Sequence, residues 1–255
     1  MTSQTFGRYA TVNVPRYTSY PTAPHFNDTV DGAVYQAWLH ELDPNQPISL
    51  YLHVPFCRQI CWYCGCNMKL AARHEPVAEY AQVLIQEIKL IADQLPARMK
   101  VSHLHWGGGT PNVLMPDELR ACMTAIHERF DMQPDAELAF ECDPRTLTQD
   151  MVQTVGDLGF TRASFGVQEF DPTVQKAINR VQPPEMVRKA VYGFRAAGVS
   201  AVNFDLIYGL PHQTTQMLQK TIRICAAMRP DRIALFGYAH VPWVAKKQRL
   251  IPEEA

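Results

Sequence analysis

From residue 49 onward the chain alternates short apolar runs with longer amphipathic segments. The apolar runs lie at 49–54, 101–106, 137–142, 162–167, 201–208 and 232–238. Between them, apolar positions return at helical spacing over 77–94, 116–130, 149–158, 184–197 and 215–228. Strands alternating with helices of this length predict βαβ units and a parallel sheet. Punctuation agrees: Thr148 precedes one helical segment and Asp171-Pro172 opens a shorter one, while Gly159 and Gly198 each close a periodic run. The fold class predicted is α/β, an open (β/α)6 partial barrel of the TIM type over 49–240. Residues 1–48 are expected to form an N-terminal extension packing on it.

Chemistry in parallel α/β sheets gathers where strands end. Here the first strand runs into a cysteine-rich loop, the second into 106–111 (WGGGTP) and the third into 141–144 (ECDP). The fourth ends in 166–168 (GVQ), the fifth passes through Asp205 to Gly209, and the sixth ends in 237–240 (GYAH). Gly107, Gly108 and Gly109 let backbone approach a ligand closely. They lack the G-x-G-x-x-G spacing or a following Lys-Ser/Thr, so no dinucleotide or triphosphate cradle is indicated. Glu141 directly follows apolar residues, so its charge demands a partner such as a cationic ligand group or a ribose hydroxyl pair. Asp143 is expected to cap the next helix. His103 and His105 are read as partly buried, hydrogen-bonded histidines in preference to metal ligands.

The stretch 53–66, HVPFCRQICWYCGC, places Cys57, Cys61 and Cys64 in a C-x3-C-x2-C arrangement. Soft thiolates select Fe–S clusters, zinc or Cu(I). Three ligands where a closed site needs four leave one coordination position open, which suits a [4Fe-4S] cluster that binds a further molecule. Structural zinc is the rival and wants four N/S ligands, usually in two separated pairs. Cys66 lies only two residues after Cys64, poor placement for chelating one small ion, and no second C-x-x-C pair exists. Seven cysteines do not make a disulfide framework. Cys122, Cys142 and Cys225 fall in apolar or periodic segments and are expected to be reduced core thiols.

Composition narrows the classes. At 255 residues, with 47% hydrophobic positions, the chain can bury one large core. Formal net charge is −1, so no electrostatic footprint points to nucleic acid or anionic lipid. The first residues lack the basic start and apolar stretch of an export signal, and no apolar run approaches the roughly 20 residues of a membrane span. A soluble, cytoplasmic protein in a reducing compartment is the expectation.

These motifs resemble the radical S-adenosylmethionine enzymes. Five of them in order narrow the likeness to the oxygen-independent coproporphyrinogen oxidase family: 15–22 (PRYTSYPT), 50–56 (LYLHVPF), the added Cys66, 104–111 (LHWGGGTP) and 205–211 (DLIYGLP). The resemblance covers nearly the whole chain. It implies that Cys57, Cys61 and Cys64 ligate a [4Fe-4S] cluster whose open iron binds S-adenosyl-L-methionine. One-electron reduction of that pair yields a 5′-deoxyadenosyl radical. It implies that Tyr51 and Tyr63 lie beside the cofactor and that Gly108, Gly109 and Thr110 meet its methionine end. Glu141, Gln168, Arg180, Asp205 and Ala239 would surround the same molecule or a second one. Cys66 is no ligand in this scheme.

The implied activity is an oxidoreductase of haem (porphyrin) biosynthesis. It would oxidatively decarboxylate two propionates of coproporphyrinogen III to vinyl groups, giving protoporphyrinogen IX. The radical would take hydrogen from the propionate carbon attached to the pyrrole. A closed, dry barrel would protect it, and bidentate arginine suits the substrate's carboxylates. Arg16 and Arg180 are the candidates. The implied partners are the porphyrinogen and an electron donor such as a flavodoxin- or ferredoxin-type reductant. Family members continue past the barrel into a helical domain, so residues 241–255 read as the start of a missing C-terminal region. The alternative within this resemblance is a haem chaperone with the same barrel; 15–22 and Cys66 argue against it.

Overall fold

The computed structural model describes residues 25–251. The stretch 15–22, with Arg16, lies outside them. Helix α1 (Gly32–His40) belongs to the first of two compact units, residues 1–41, and is capped by the Asp31 carboxylate, which accepts from the Ala33 and Val34 N–H groups. Apolar periodicity does not mark this helix.

In the second unit, six strands form one sheet: β1 (Ile48–Val54), β2 (Lys100–Gly108), β3 (Asp131–Cys142), β4 (Arg162–Gln168), β5 (Ala201–Tyr208) and β6 (Arg232–Gly237). They pair in chain order and every neighbouring pair is parallel. Helices α2 (Glu75–Asp93), α3 (Pro116–Arg129), α4 (Gln149–Asp157), α6 (Pro184–Ala196) and α7 (Thr215–Ala227) fill the connections, with the short α5 (Pro172–Ala177) following β4. Six strands do not close, and the barrel is open as the pattern predicts.

Local chemistry explains these boundaries. The Thr148 hydroxyl accepts from Met151 N at 3.1 Å and starts α4, while Asp171 accepts from Thr173 N at 2.8 Å and starts α5. Gly159 and Gly198, at φ 75° and 92°, let the chain leave α4 and α6 for the next strand. Strand β3 begins six residues before the predicted run, because Asp131 and Met132 pair with Lys100 and Val101 despite Pro134 inside the segment.

One face of the sheet is apolar and meets the helices. Leu52, Val54, Leu104, Trp106, Phe140, Phe165 and Phe204 are buried there against Val77, Leu84, Leu119, Val191 and Phe194. Phe165 meets Phe194 edge-on at 5.6 Å and Phe204 at 6.1 Å. Each such ring contributes about 1.5–3 kcal/mol by leaving water. Cys122, Cys142 and Cys225 are free thiols in this core, and burial raises the pKa of each. The alternate positions face the other way. Parallel register sets Tyr51 beside His105, Glu141 beside Ser164, Ser164 beside Asn203 and Gly166 beside Asp205. A polar stripe therefore crosses the concave side of the sheet as a consequence of strand periodicity alone.

Candidate functional site: a cysteine loop at the carboxyl edge

The loop that follows β1 is held to the strand ends from three sides. Its entry, Phe56–Cys57, pairs in parallel with Lys69–Leu70, a two-residue ladder that periodicity could not reveal. Its middle is bound to the residues after α5: Trp62 N donates to Ile178 O at 3.0 Å, and Asn179 Nδ2 donates to Ile60 O at 2.7 Å. Its exit is held by Gln248, whose amide donates to Tyr63 O at 2.8 Å and Ala239 O at 3.1 Å. Asn179 adopts φ 52°, a left-handed conformation that asparagine tolerates better than most residues.

The three cysteines have different surroundings. Cys57 Sγ lies 3.3 Å from Thr110 Oγ1, and burial raises its pKa. Cys61, buried, accepts from Arg145 Nη2 at 3.2 Å and Arg180 Nη1 at 3.3 Å. Cys64 Sγ accepts from Cys66 N at 3.4 Å; a hydrogen bond from the Cys66 thiol brings its pKa down to about 6, while the Cys66 thiol itself is pushed up. Cys66 is exposed and works on Cys64, a relation the spacing did not expose. Burial pushes the Tyr63 phenol well up, so it stays protonated beside Val174, Ile178 and Leu210.

Glycines 107–109 close the loop's other flank. Gly109 N donates to Val54 O at 2.9 Å, and a Cβ on Gly108, at φ 122°, would stand 2.8 Å from Val54 N. A Cβ on Gly107 would meet Glu141 Oε1 at 2.9 Å and the Tyr51 ring at 3.0 Å. Glycine is thus needed for backbone to lie between the loop and the polar stripe.

On that stripe His105 Nε2 contacts Glu141 Oε1 at 2.8 Å and its ring stacks on Tyr51, centroids 5.7 Å apart. The Tyr51 hydroxyl contacts His53 Nδ1 at 2.9 Å, and His53 Nε2 reaches Asn67 O at 3.0 Å. Glu141 therefore has a protein partner, where the sequence pointed only to a ligand. His105 is half-exposed as expected, but His103, farther toward the amino end of β2, is exposed and lies 3.0 Å from Ser102 Oγ. Asp205 accepts from Asn203 Nδ2 at 3.0 Å, and burial raises its pKa. Gln168 ends β4 at φ 65°, next to a register shift, and is buried. Strained backbone of this kind persists where surroundings over-determine it.

Asp143 departs from the helix-cap expectation. Thr148 takes the capping role, and Asp143 is chelated instead by Arg145, with Nε to Oδ1 at 2.9 Å and Nη2 to Oδ2 at 2.6 Å. Arg180 adds a contact to Oδ2 at 3.4 Å and donates to Gly166 O. The two arginines hold the Asp143 carboxyl below its ordinary range against the opposing effect of burial. Arg145 was not singled out by any motif; only its position two residues beyond Asp143, at the end of β3, could have marked it.

Among the described residues no three His, Cys, Asp or Glu side chains are grouped tightly enough to hold a single ion. Three thiols on one loop, two of them facing guanidinium or backbone N–H donors, fit a [4Fe-4S] cluster.

The family model described as the radical SAM superfamily matches residues 51–225, and the chain belongs to that superfamily. Its cofactors are accordingly a [4Fe-4S] cluster and S-adenosyl-L-methionine. An oxygen-independent coproporphyrinogen III oxidase of Bradyrhizobium diazoefficiens is 49% identical over 97% of this chain and 55% of its own length. One from Helicobacter pylori is 43% identical over 94% and 53%. The solved coproporphyrinogen III oxidase of Escherichia coli superposes with a TM-score of 0.88 at 38% identity, covering 93% of this chain and 54% of the other. The chain spans about half the length of the curated relatives it matches.

Proposed function

We propose that the chain carries the catalytic core of an oxygen-independent coproporphyrinogen III oxidase, converting two propionates of coproporphyrinogen III to vinyl groups in haem biosynthesis. The observation that carries this reading is the meeting of the three-cysteine loop, the glycine edge and the carboxylates Glu141 and Asp205 at one end of one parallel sheet. The oxidase names of relatives 38–49% identical over nearly the whole chain support oxidation over haem transfer.

When bound, the cluster and S-adenosyl-L-methionine supply a radical that abstracts hydrogen from a carbon centre. The chain's own part is placement. Cys57, Cys61 and Cys64 hold the cluster; Tyr51 and Tyr63 flank the cofactor; Gly108, Gly109 and Thr110 present backbone to its methionine end. The Glu141 carboxylate, oriented by His105, would meet a cationic amino group, and Arg180, whose donors go to Cys61, Asp143 and Gly166, would border the cofactor without a free fork for its carboxylate. Asp205 accepts from ribose hydroxyls, while Gln168 and Ala239 line the remainder. In this reading the reductant is of the flavodoxin or ferredoxin type and the protein acts in the cytoplasm. No helix among the described residues is long and apolar enough to cross a membrane.

Anaerobic reconstitution with iron and sulfide, then reduction with dithionite in the presence of S-adenosyl-L-methionine and coproporphyrinogen III, tests this. About four irons per chain, 5′-deoxyadenosine and vinyl-bearing product are expected. Zinc without iron, or tight haem binding without cleavage of S-adenosyl-L-methionine, would overturn the reading.

A further inference from the structure

Two guanidinium groups converge on one sulfur. Arg145 Nη2 donates to Cys61 Sγ at 3.2 Å and Arg180 Nη1 donates to it at 3.3 Å. Both arginine side chains are more than nine-tenths buried, at 4% and 7% exposure, and so is the Asp143 carboxylate between them, at 9%. Two buried positive charges against one carboxylate leave an excess of one, and buried charge demands compensation. The atom that both guanidinium groups face, besides that carboxylate, is Cys61 Sγ.

Arg145 is built to serve the sulfur as well as the carboxylate. Its Nε bridges both Asp143 oxygens, at 2.9 and 3.1 Å, and Nη2 lies 2.6 Å from Oδ2. That fork fixes the plane of the guanidinium, so the second hydrogen on Nη2 is aimed at Cys61, while Nη1 reaches Asn179 O at 3.4 Å. A lysine could match the charge but not the fork.

Hydrogen bonds to cluster sulfurs and the net charge around them set reduction potential. We propose that Arg145, held in place by Asp143, together with Arg180, raises the reduction potential of the cluster by donating to the Cys61 sulfur. Arg145 is thus a positioning and tuning residue, touching the ligand and not the substrate. The inference rests on the reading of Cys61 as a cluster ligand. On reduction the cluster takes one electron from a low-potential donor, no proton or bond moves on the chain, and the surplus cationic field stabilises the added negative charge.

The test is a dye-mediated potentiometric titration followed by EPR on the reconstituted full chain, without S-adenosyl-L-methionine. Arg145→Met is expected to hold the same iron as the wild type and to make the cluster about tenfold harder to reduce, about 59 mV lower for one electron. Arg145→Lys should move it down by less than half as much. If Arg145→Met fails to hold iron, the smaller downward shift of Arg145→Lys carries the same test. A full cluster whose potential is unmoved or raised in the Arg145 variants would overturn the inference and leave the proposed function standing. A wild-type chain with no reducible cluster would overturn both.

Discussion

A Cβ placed on Gly109 would stand 2.7 Å from the carbonyl oxygen of Phe56 and 2.9 Å from its nitrogen. Phe56 is the residue before the first cysteine of the loop, and the contact is with backbone, which cannot swing aside as a side chain would. Gly109→Ala is therefore expected to push the loop entry off its ladder with Lys69–Leu70. A loss of about 1–3 kcal/mol in urea unfolding is the usual scale of such overpacking, accompanied by reduced iron uptake. Full iron content with unchanged stability would show that the loop does not need this close approach.

The cysteines should separate into two groups. Cys57→Ser, Cys61→Ser and Cys64→Ser are each expected to lose most of the iron on anaerobic reconstitution. Cys66→Ser should keep it, because Cys66 is exposed and serves Cys64 as a hydrogen-bond donor. Loss of iron in Cys66→Ser with retention in Cys57→Ser would reverse the ligand assignment.

Asp205 gives a pH dependence with a definite sign. Burial raises its folded pKa above the ordinary 3.8, so the folded chain binds the proton more tightly than the unfolded one. Stability then falls as pH rises from the unfolded value through the folded one. Asp205→Asn removes that loss. The variant is expected to be more stable than wild type at pH 7, with the difference shrinking as pH approaches about 4. Equal unfolding midpoints at pH 7 would contradict the argument.

Glu169 is a buried joint between loops. Its carboxylate accepts from Phe170 N at 2.7 Å, Asp171 N at 3.0 Å, Gln213 Nε2 at 2.7 Å and the Thr221 hydroxyl. Glu169→Ala strands several buried donors and is expected to cost about 3–5 kcal/mol. Glu169→Gln retains acceptor oxygen and should cost about half of that. Denaturant midpoints decide between them, and a neutral alanine variant would show that water replaces the carboxylate.

The sheet and its helices were legible because their signals are local. Alternating apolar runs, Thr148 and Asp171 as caps, and Gly159 and Gly198 as stops need only neighbours in sequence to act. The cysteine loop was legible for the same reason, since three thiols within eight residues cannot avoid one another. Strand parity alone placed Tyr51, His105 and Glu141 on the face away from the helices.

Relations between residues far apart in the chain came from tertiary packing. Cys61 meets Arg145 and Arg180 across 84 and 119 residues, and Asn179 reaches Ile60 across 119. No periodicity encodes such pairs, because they arise when parallel strands bring their carboxyl ends to one edge. Burial then selects which charges must pair: Asp143, placed by sequence as a helix cap, is claimed by two arginines because a buried carboxylate beside a buried guanidinium has no water to turn to. The sheet, the thiolate loop and the class of chemistry follow from local sequence. The tertiary structure decided which side chains surround each sulfur, and with them the field in which that chemistry runs.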